Sequence, residues 1–285
     1  MPMKIGLVLE GGGMRGLYTG GVLQAFSDGQ WLPDYVIGVS AGACNAFSYL
    51  SGQQGRNLRI NTDYLKDKRY LSVQNFLRTK SLFGMDFIFG EIPEKLDPFD
   101  YEAFRNNPCV FELGVTDVAT GKPVYFSKDS FADGDFTLLR ASSSIPVFAP
   151  MVPYGDRFYL DGGTSDPIPV ERALQMGCDK LVVVLTRERG YQKKPERFRA
   201  AYRRAFRKYP CMAGTLDRRH TVYNQTLKKV AELEQAGKAL VIAPKTPLGV
   251  DRFEKNRDKL IAVYQQGLAQ GEALLPRIRA MTEAG

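Results

Sequence analysis

Four cysteines, one histidine and one tryptophan are spread over 285 residues, and the scarcity of each limits what the chain can be. Cys44, Cys109, Cys178 and Cys211 lie far apart with no ligand spacing between them, so neither a disulfide framework nor a zinc site is indicated. No apolar run approaches the roughly 20 residues that span a bilayer. Residues 1–10 (MPMKIGLVLE) lead straight into a glycine loop without the layout of a signal peptide. A reducing, cytoplasmic setting is expected. The lone histidine, His220, lies in Leu216-Asp217-Arg218-Arg219-His220, an arginine-rich helical stretch with no strand before it.

What is present is ordinary in amount and uneven in placement. Hydrophobic residues make up 44% and charged residues 25%, which suits one large α/β domain or a domain with an appendage. The net charge of +8 is local: Arg187 to Lys229 holds fourteen Lys and Arg against Glu188, Glu196 and Asp217. An anionic partner or surface fits that window.

Around one stretch the rest is organised. Tyr35-Val36-Ile37, short and apolar, reads as a buried strand and runs into Gly38-Val39-Ser40-Ala41-Gly42. Ala43 to Tyr49 then reads as a helix. A serine at so sharp a strand-to-helix turn needs small neighbours, and it gains an exposed hydroxyl above a sheet edge. Lys4 to Leu9 is a second strand, ending in Gly11-Gly12-Gly13-Met14-Arg15-Gly16, with a helix following to Gly29. Such a loop presents backbone N–H groups to an anion. Its G-x-G-x-x-G form also suits a dinucleotide, but the next strand ends in Val39-Ser40 instead of the acid a ribose requires. Strand, helix and strand over about 35 residues form a right-handed crossover, so both loops share one sheet edge. The Gly11–Gly13 amides can therefore face a carbonyl oxygen attacked by Ser40.

Further along, residues 53–108 lack a sheet pattern and carry Phe76, Phe83, Phe87, Phe89, Phe99 and Phe104. They form either an irregular insertion packed on the core or an apolar wall or lid for an acyl chain. Val110–Val118 and Pro123–Phe126 read as a hairpin, Leu138–Ser144 as a short helix, and Arg157–Asp161 as a strand followed by Gly162-Gly163. Pro167–Met176 is expected as a helix and Leu181–Leu185 as a buried strand. The order Ser40, Asp161, His220 matches an α/β-hydrolase triad. The surroundings of His220 suit a catalytic loop poorly, so Asp161 is the better-placed base, taking the serine proton directly.

The order and spacing of Gly11-Gly12-Gly13-Met14-Arg15-Gly16, Gly38-Val39-Ser40-Ala41-Gly42 and Asp161-Gly162-Gly163 resemble the patatin-like phospholipase family, over roughly residues 4–187. The resemblance implies a three-layer α/β/α fold with a mostly parallel central sheet and a Ser–Asp dyad. It makes Ser40 the nucleophile, Asp161 the base and Gly11, Gly12 and Gly13 the oxyanion hole, with Arg15 supporting that loop. Gly16, Gly38, Gly42, Gly162 and Gly163 complete the motifs. Glu10 stands where many members have Asp. No metal or organic cofactor is implied.

Residues 188–285 match no further motif and read as a basic, mainly helical region, free to pack on the 4–187 catalytic unit. From Pro195 to Tyr209, Phe198, Ala201, Tyr202, Ala205, Phe206 and Tyr209 fall on an arc of roughly 140° at helical spacing. Arg197, Arg199, Arg203, Arg204, Arg207 and Lys208 take the rest. The pattern fits an interfacial helix, with Arg203, Arg204 and Arg207 on an anionic membrane surface, or a helix docked on the core. No nucleic-acid recognition motif accompanies the charge. Leu216–Ala236 is expected as a helix, Ala239–Ala243 as a strand, and Arg252–Ala280 as a helix broken near Gly271.

The expected activity is a cytoplasmic serine acyl hydrolase on lipid acyl esters, of phospholipase A or lysophospholipase type. A carboxylesterase or thioesterase on soluble acyl substrates is the alternative enzyme. A non-catalytic lipid- or anion-binding module is the alternative of another class.

Overall fold

The computed structural model describes residues 3–197 and 199–283. In chain order, β1 (Ile5–Leu9), α1 (Leu17–Asp28), β2 (Tyr35–Val39) and α2 (Ala41–Leu50) form the first crossover. Short helices follow, α3 (Arg56–Thr62), α4 (Val73–Thr79), a π-helical segment Phe87–Leu96 and α5 (Tyr101–Asn106). Then come β3 (Val110–Asp117), β4 (Pro123–Ser127), α6 (Thr137–Ser142), β5 (Val152–Tyr154), β6 (Arg157–Asp161), α7 (Val170–Gln175) and β7 (Lys180–Val184). The chain finishes with α8 (Arg199–Ala205), α9 (Pro210–Gln235), β8 (Ala239–Ile242) and α10 (Arg257–Glu283).

The strands make one mixed, mostly parallel sheet. β1 lies parallel to β2 and β7, β2 to β3, and β7 to β8, while β4, β5 and β6 run antiparallel to their partners. Because successive side chains of a strand point to opposite faces, β1 feeds two cores. Ile5, Leu7 and Leu9 pack with α1, α2 and α10, whereas Val8 packs with residues of α7 and α9. The result is a three-layer α/β/α architecture with a mostly helical C-terminal region.

That region is part of the architecture. β8 extends the sheet beside β7, and α10 lies along α1. Gly21 and Gly267 allow the close approach, since a Cβ on either would run into the opposing backbone at Tyr264 or Tyr18. α10 is unbroken at Gly271. The expected break is absent because Gly271 serves helix contact: a Cβ there would come within 3.1 Å of the Val22 backbone.

A second correction concerns the basic helix. It spans Arg199–Ala205 and not 195–209, and Phe198 lies outside the described residues. Tyr202 and Phe206 are buried against Val118, Leu160, Met212 and Leu216. The aromatic face thus meets protein, because Val118 just after β3, together with β6 and α9, offers an apolar surface that covers it. Arg203 is tied to Asp217 at 2.5 Å, and Arg204 and Arg207 are exposed.

Candidate active site

The serine sits where β2 gives way to α2. Ser40 has φ 54° and ψ −128°, a conformation that side chains rarely adopt and that stores strain. Glycines make the turn possible. A Cβ on Gly38 would lie 2.6 Å from the Gly42 carbonyl carbon, and one on Gly42 would enter the Leu9 and Glu10 carbonyls. Gly16 meets Ala41 just as closely, and its carbonyl accepts from Asn45 Nδ2 at 2.8 Å, tying the glycine loop to α2.

Strand register brings the carboxylate to the serine. Val39 pairs with Gly114 of β3, and the next residue of β3, Val115, pairs with Asp161 of β6. Gly114 and Val115 both also pair with β4. A strand residue has only two edges, so β6 takes over from β2 along the other edge of β3. At that junction Ser40 Oγ donates to Asp161 Oδ2 at 2.7 Å, with both residues buried. The Gly163 N–H donates to Asp161 Oδ1 at 2.8 Å and fixes the carboxylate plane. Gly162 is packed into the Gly114 carbonyl, where a Cβ would not fit. Burial pushes the Asp161 carboxyl above its usual range, while the Ser40 hydroxyl, Arg219 and the Gly163 amide oppose that rise.

Ser142 adds a contact that the sequence does not announce. Its hydroxyl accepts from the Ser40 N–H and donates to the Gly114 carbonyl, each at 2.8 Å, bracing the turn. One serine among several in Ala141-Ser142-Ser143-Ser144 carries no local signal for this role.

The glycine loop faces the same point. Gly11 lies so near Ser40 that a Cβ would come 3.0 Å from the serine Cβ. Among the described residues none of the Gly11, Gly12 and Gly13 amides donates to an acceptor. Arg15 is 8% exposed and makes no side-chain hydrogen bond to the loop; its guanidinium lines the cavity instead.

Two cavities meet at Ser40. The first, of about 120 Å³, is apolar, with Met14, Phe47, Phe83, Ile88, Phe89 and Phe136 among its walls. Of the phenylalanines in 53–108, Phe83 and Phe89 line it, while Phe87, Phe99 and Phe104 are buried in the core beside it. The second, of about 370 Å³, is the charged one: Asp161, Arg15, Arg187, Arg219 and Arg252 border it with Gly11–Gly13, among apolar residues such as Ile145 and Phe148. Tyr202 and Leu216 close its far wall, so α8 and α9 belong to the site. Arg203, Arg204 and Arg207 line neither cavity.

His220 also lines neither cavity; its Nε2 lies 3.4 Å from Thr221 Oγ1. His220→Ala is therefore expected to keep kcat/KM on an acyl ester within about threefold. A thousandfold loss in a folded variant would bring the imidazole into the mechanism.

Sheet order, turn and loop together define an α/β/α protein with a serine elbow and a carboxylate at adjoining strand ends. The family model Patatin-like phospholipase matches residues 7–174, and the chain belongs to that family. A second model, Domain of unknown function (DUF6363), matches residues 209–283. Uncharacterized protein YjjU of Escherichia coli is 31% identical over 198 residues, 65% of this chain and 52% of its own length. Lysophospholipase NTE1 of Debaryomyces hansenii is 26% identical over 197 residues, 64% of this chain and 12% of its own. The chain thus spans about half of one relative and a small part of the other. Among solved structures, VipD from Legionella pneumophila aligns with 97% of this chain and 67% of its own, with a TM-score of 0.49 and 14% identity. Among the described residues no helix is long and apolar enough to cross a membrane.

Proposed function

We propose that the chain is a serine hydrolase of lipid acyl esters, of lysophospholipase or phospholipase A type, working through Ser40 and Asp161. The observation that carries this reading is the 2.7 Å Ser40–Asp161 hydrogen bond where an apolar cavity meets one lined by several charged residues. The acyl chain lies in the apolar cavity and the ester carbonyl reaches Ser40. Oγ attacks the carbonyl carbon while Asp161 Oδ2 takes its proton, and the Gly11–Gly13 amides hold the oxyanion. Collapse of the intermediate breaks the ester bond. The proton on Asp161 passes to the departing alkoxide, leaving an acyl-Ser40 ester. Water, giving its proton to Asp161, then attacks that ester, and the fatty acid leaves as Ser40 regains its hydrogen.

The raised Asp161 pKa suits this role, because a base nearer the working pH shares the proton more evenly with an alcohol. Four cysteines without disulfides, Cys44, Cys109, Cys178 and Cys211, accord with work in a reducing compartment. Lipid as substrate is favoured over a small soluble ester by the Phe83, Ile88 and Phe89 wall, which a short acyl group leaves unfilled. On a panel of a palmitoyl lysophospholipid, a dipalmitoyl phospholipid and a butyryl ester, a palmitoyl substrate is expected to exceed the butyryl ester in kcat/KM by about tenfold or more. Equal or better turnover of the butyryl ester would point to a soluble-ester esterase. Absence of acyl release from all three by folded protein would contradict hydrolysis.

A further inference from the structure

The larger cavity at Ser40 carries more positive charge than the chemistry there requires. Arg15, Arg187, Lys193, Arg219 and Arg252 line it against Glu10, Glu196 and Asp161, five cations to three acids. Each acid has hydrogen-bonding partners of its own, while Glu10 attracts Arg15, and Glu196 and Asp161 attract Arg252. Glu10 accepts from the Thr186 N–H at 2.5 Å and from the Tyr223 hydroxyl at 2.7 Å. Asp161 holds Ser40 and Gly163. Glu196 is shared by Lys193 at 3.2 Å and Arg219 at 2.9 Å.

Arg15, Arg187 and Arg252 have no ion pair among the described residues, against the two unpaired carboxylates Glu10 and Asp161, so the cavity keeps a surplus of positive charge. Among the described residues, the side chains of Arg15 and Arg252 make no hydrogen bond or ion pair, and Arg187 only stacks on Tyr191 at 4.5 Å. Arg15 is more than nine-tenths buried, and its Nε has no partner. Burial, with repulsion from Arg187 and Arg252 and against the attraction of Glu10, holds its pKa down to about 10. Burial lowers Arg252 as well, with Arg219 and Arg187 adding repulsion. Lys193 is brought down to about 8 by burial and then by Arg219 and Arg252. Like charges held together away from water are costly unless an anion joins them, so the cluster is built for an anionic ligand.

Their placement says which part of a substrate this is. Arg219 Nε donates to the Gly163 carbonyl at 2.7 Å, two residues beyond Asp161. The Arg252 carbonyl accepts from the Met14 N–H at 3.3 Å, next to the glycine loop. None of the five cations lines the apolar cavity; they line the other cavity that Ser40 shares, which is left for the alcohol portion of an ester once its acyl chain is seated. Arg187, Lys193, Arg219 and Arg252 all lie outside the stretch matched as patatin-like, 7–174, and the last two lie within the second match, 209–283.

We propose that Arg15, Arg187, Lys193, Arg219 and Arg252 form a head-group subsite for a phosphate, largely supplied by the C-terminal region, which makes the protein selective for acyl esters whose head group is a net anion. The proposal rests on the hydrolase reading above and adds specificity to it. A phosphate diester with an uncharged alcohol beyond it satisfies the guanidinium fork. A choline head group brings a compensating cation into the same positive field and is disfavoured.

The test compares palmitoyl lysophosphatidylglycerol with palmitoyl lysophosphatidylcholine in neutral detergent micelles, together with binding of sn-glycerol 3-phosphate and inorganic phosphate by calorimetry. Wild type is expected to prefer the glycerol lipid by about tenfold or more in kcat/KM, the scale of one charge-assisted contact. Arg187→Gln/Arg252→Gln should bring that ratio to within about twofold and abolish glycerol-phosphate binding. Arg187→Lys/Arg252→Lys should restore most of both. Arg204→Gln/Arg207→Gln removes equal charge away from the cavity, so the head-group ratio should persist; its loss would attribute selectivity to micelle charge and overturn the proposal. Equal rates on the two lipids in wild type would overturn it while leaving hydrolysis intact. Inorganic phosphate that binds and inhibits equally in wild type and in Arg187→Gln/Arg252→Gln would place phosphate outside this cluster and also overturn it. Should no lipid be cleaved, glycerol-phosphate binding that depends on Arg187 and Arg252 would still support a phosphate site, and its absence would end the proposal.

Discussion

Ser40→Ala is expected to lower kcat on a lysophospholipid by about ten-thousandfold or more without unfolding the protein. The alanine keeps the backbone and removes only the oxygen that contacts Asp161 at 2.7 Å. What survives is the contribution of binding and of the amide loop. Ser40→Gly adds a second readout. Residue 40 holds φ 54°, which glycine adopts without strain, so relief of about 1 kcal/mol should raise Tm by about 2–4 °C. A variant that is more stable and inactive would mark the turn as one held under strain for its chemistry. A folded Ser40→Ala variant with near wild-type turnover would remove the serine from the reaction.

Asp161→Asn is expected to lose about a thousandfold or more in kcat and to melt at a higher temperature than wild type at pH 8. Asparagine can still accept the Gly163 amide and face Ser40, but it cannot take a proton. The stability effect follows from burial, which raises the native carboxyl pKa above its unfolded value. Between those two values the native state holds the proton more tightly. Asp161 therefore contributes stability in full below the unfolded pKa, and that contribution is lost as pH rises through the native pKa. Asparagine is neutral throughout, so its Tm advantage should be present at pH 8 and shrink towards pH 4. In wild type kcat/KM should fall on acidification through the native pKa, with an acid limb above the ordinary aspartate range. A Tm gain independent of pH would contradict burial as its source.

The strand ends that carry Ser40 and Asp161 are legible in the sequence because their constraints are local. An apolar strand ending in Gly38-Val39-Ser40-Ala41-Gly42 can turn in few ways, and the Asp161-Gly162-Gly163 strand end is of the same kind. Nothing local shows that β6 succeeds β2 along one edge of β3, since that pairing joins Val115 to Asp161 across the sheet. The α8 pattern was legible only in part. Tyr202 and Phe206 share a face, yet periodicity cannot say whether lipid or Val118, Leu160 and Leu216 cover it. Gly271 looks like a breaker in the sequence because its contact with α1 is tertiary. The local surplus of positive charge between Arg187 and Lys229 pointed to an anion. Which of those cations turn inward, Arg187, Lys193 and Arg219 but not Arg203, Arg204 or Arg207, depends on how α8 and α9 pack.

The central claim is that Ser40 is a nucleophile activated by Asp161 alone. An alkyl fluorophosphonate reports on this directly, because only an activated serine displaces fluoride to form a phosphonate ester. Intact mass and peptide mapping should show one adduct per chain, on Ser40, in wild type and in His220→Ala at similar rates. The adduct should be absent or formed at least a hundredfold more slowly in Asp161→Asn. An adduct on a different residue, or undiminished labelling of Ser40 in Asp161→Asn, would contradict the account.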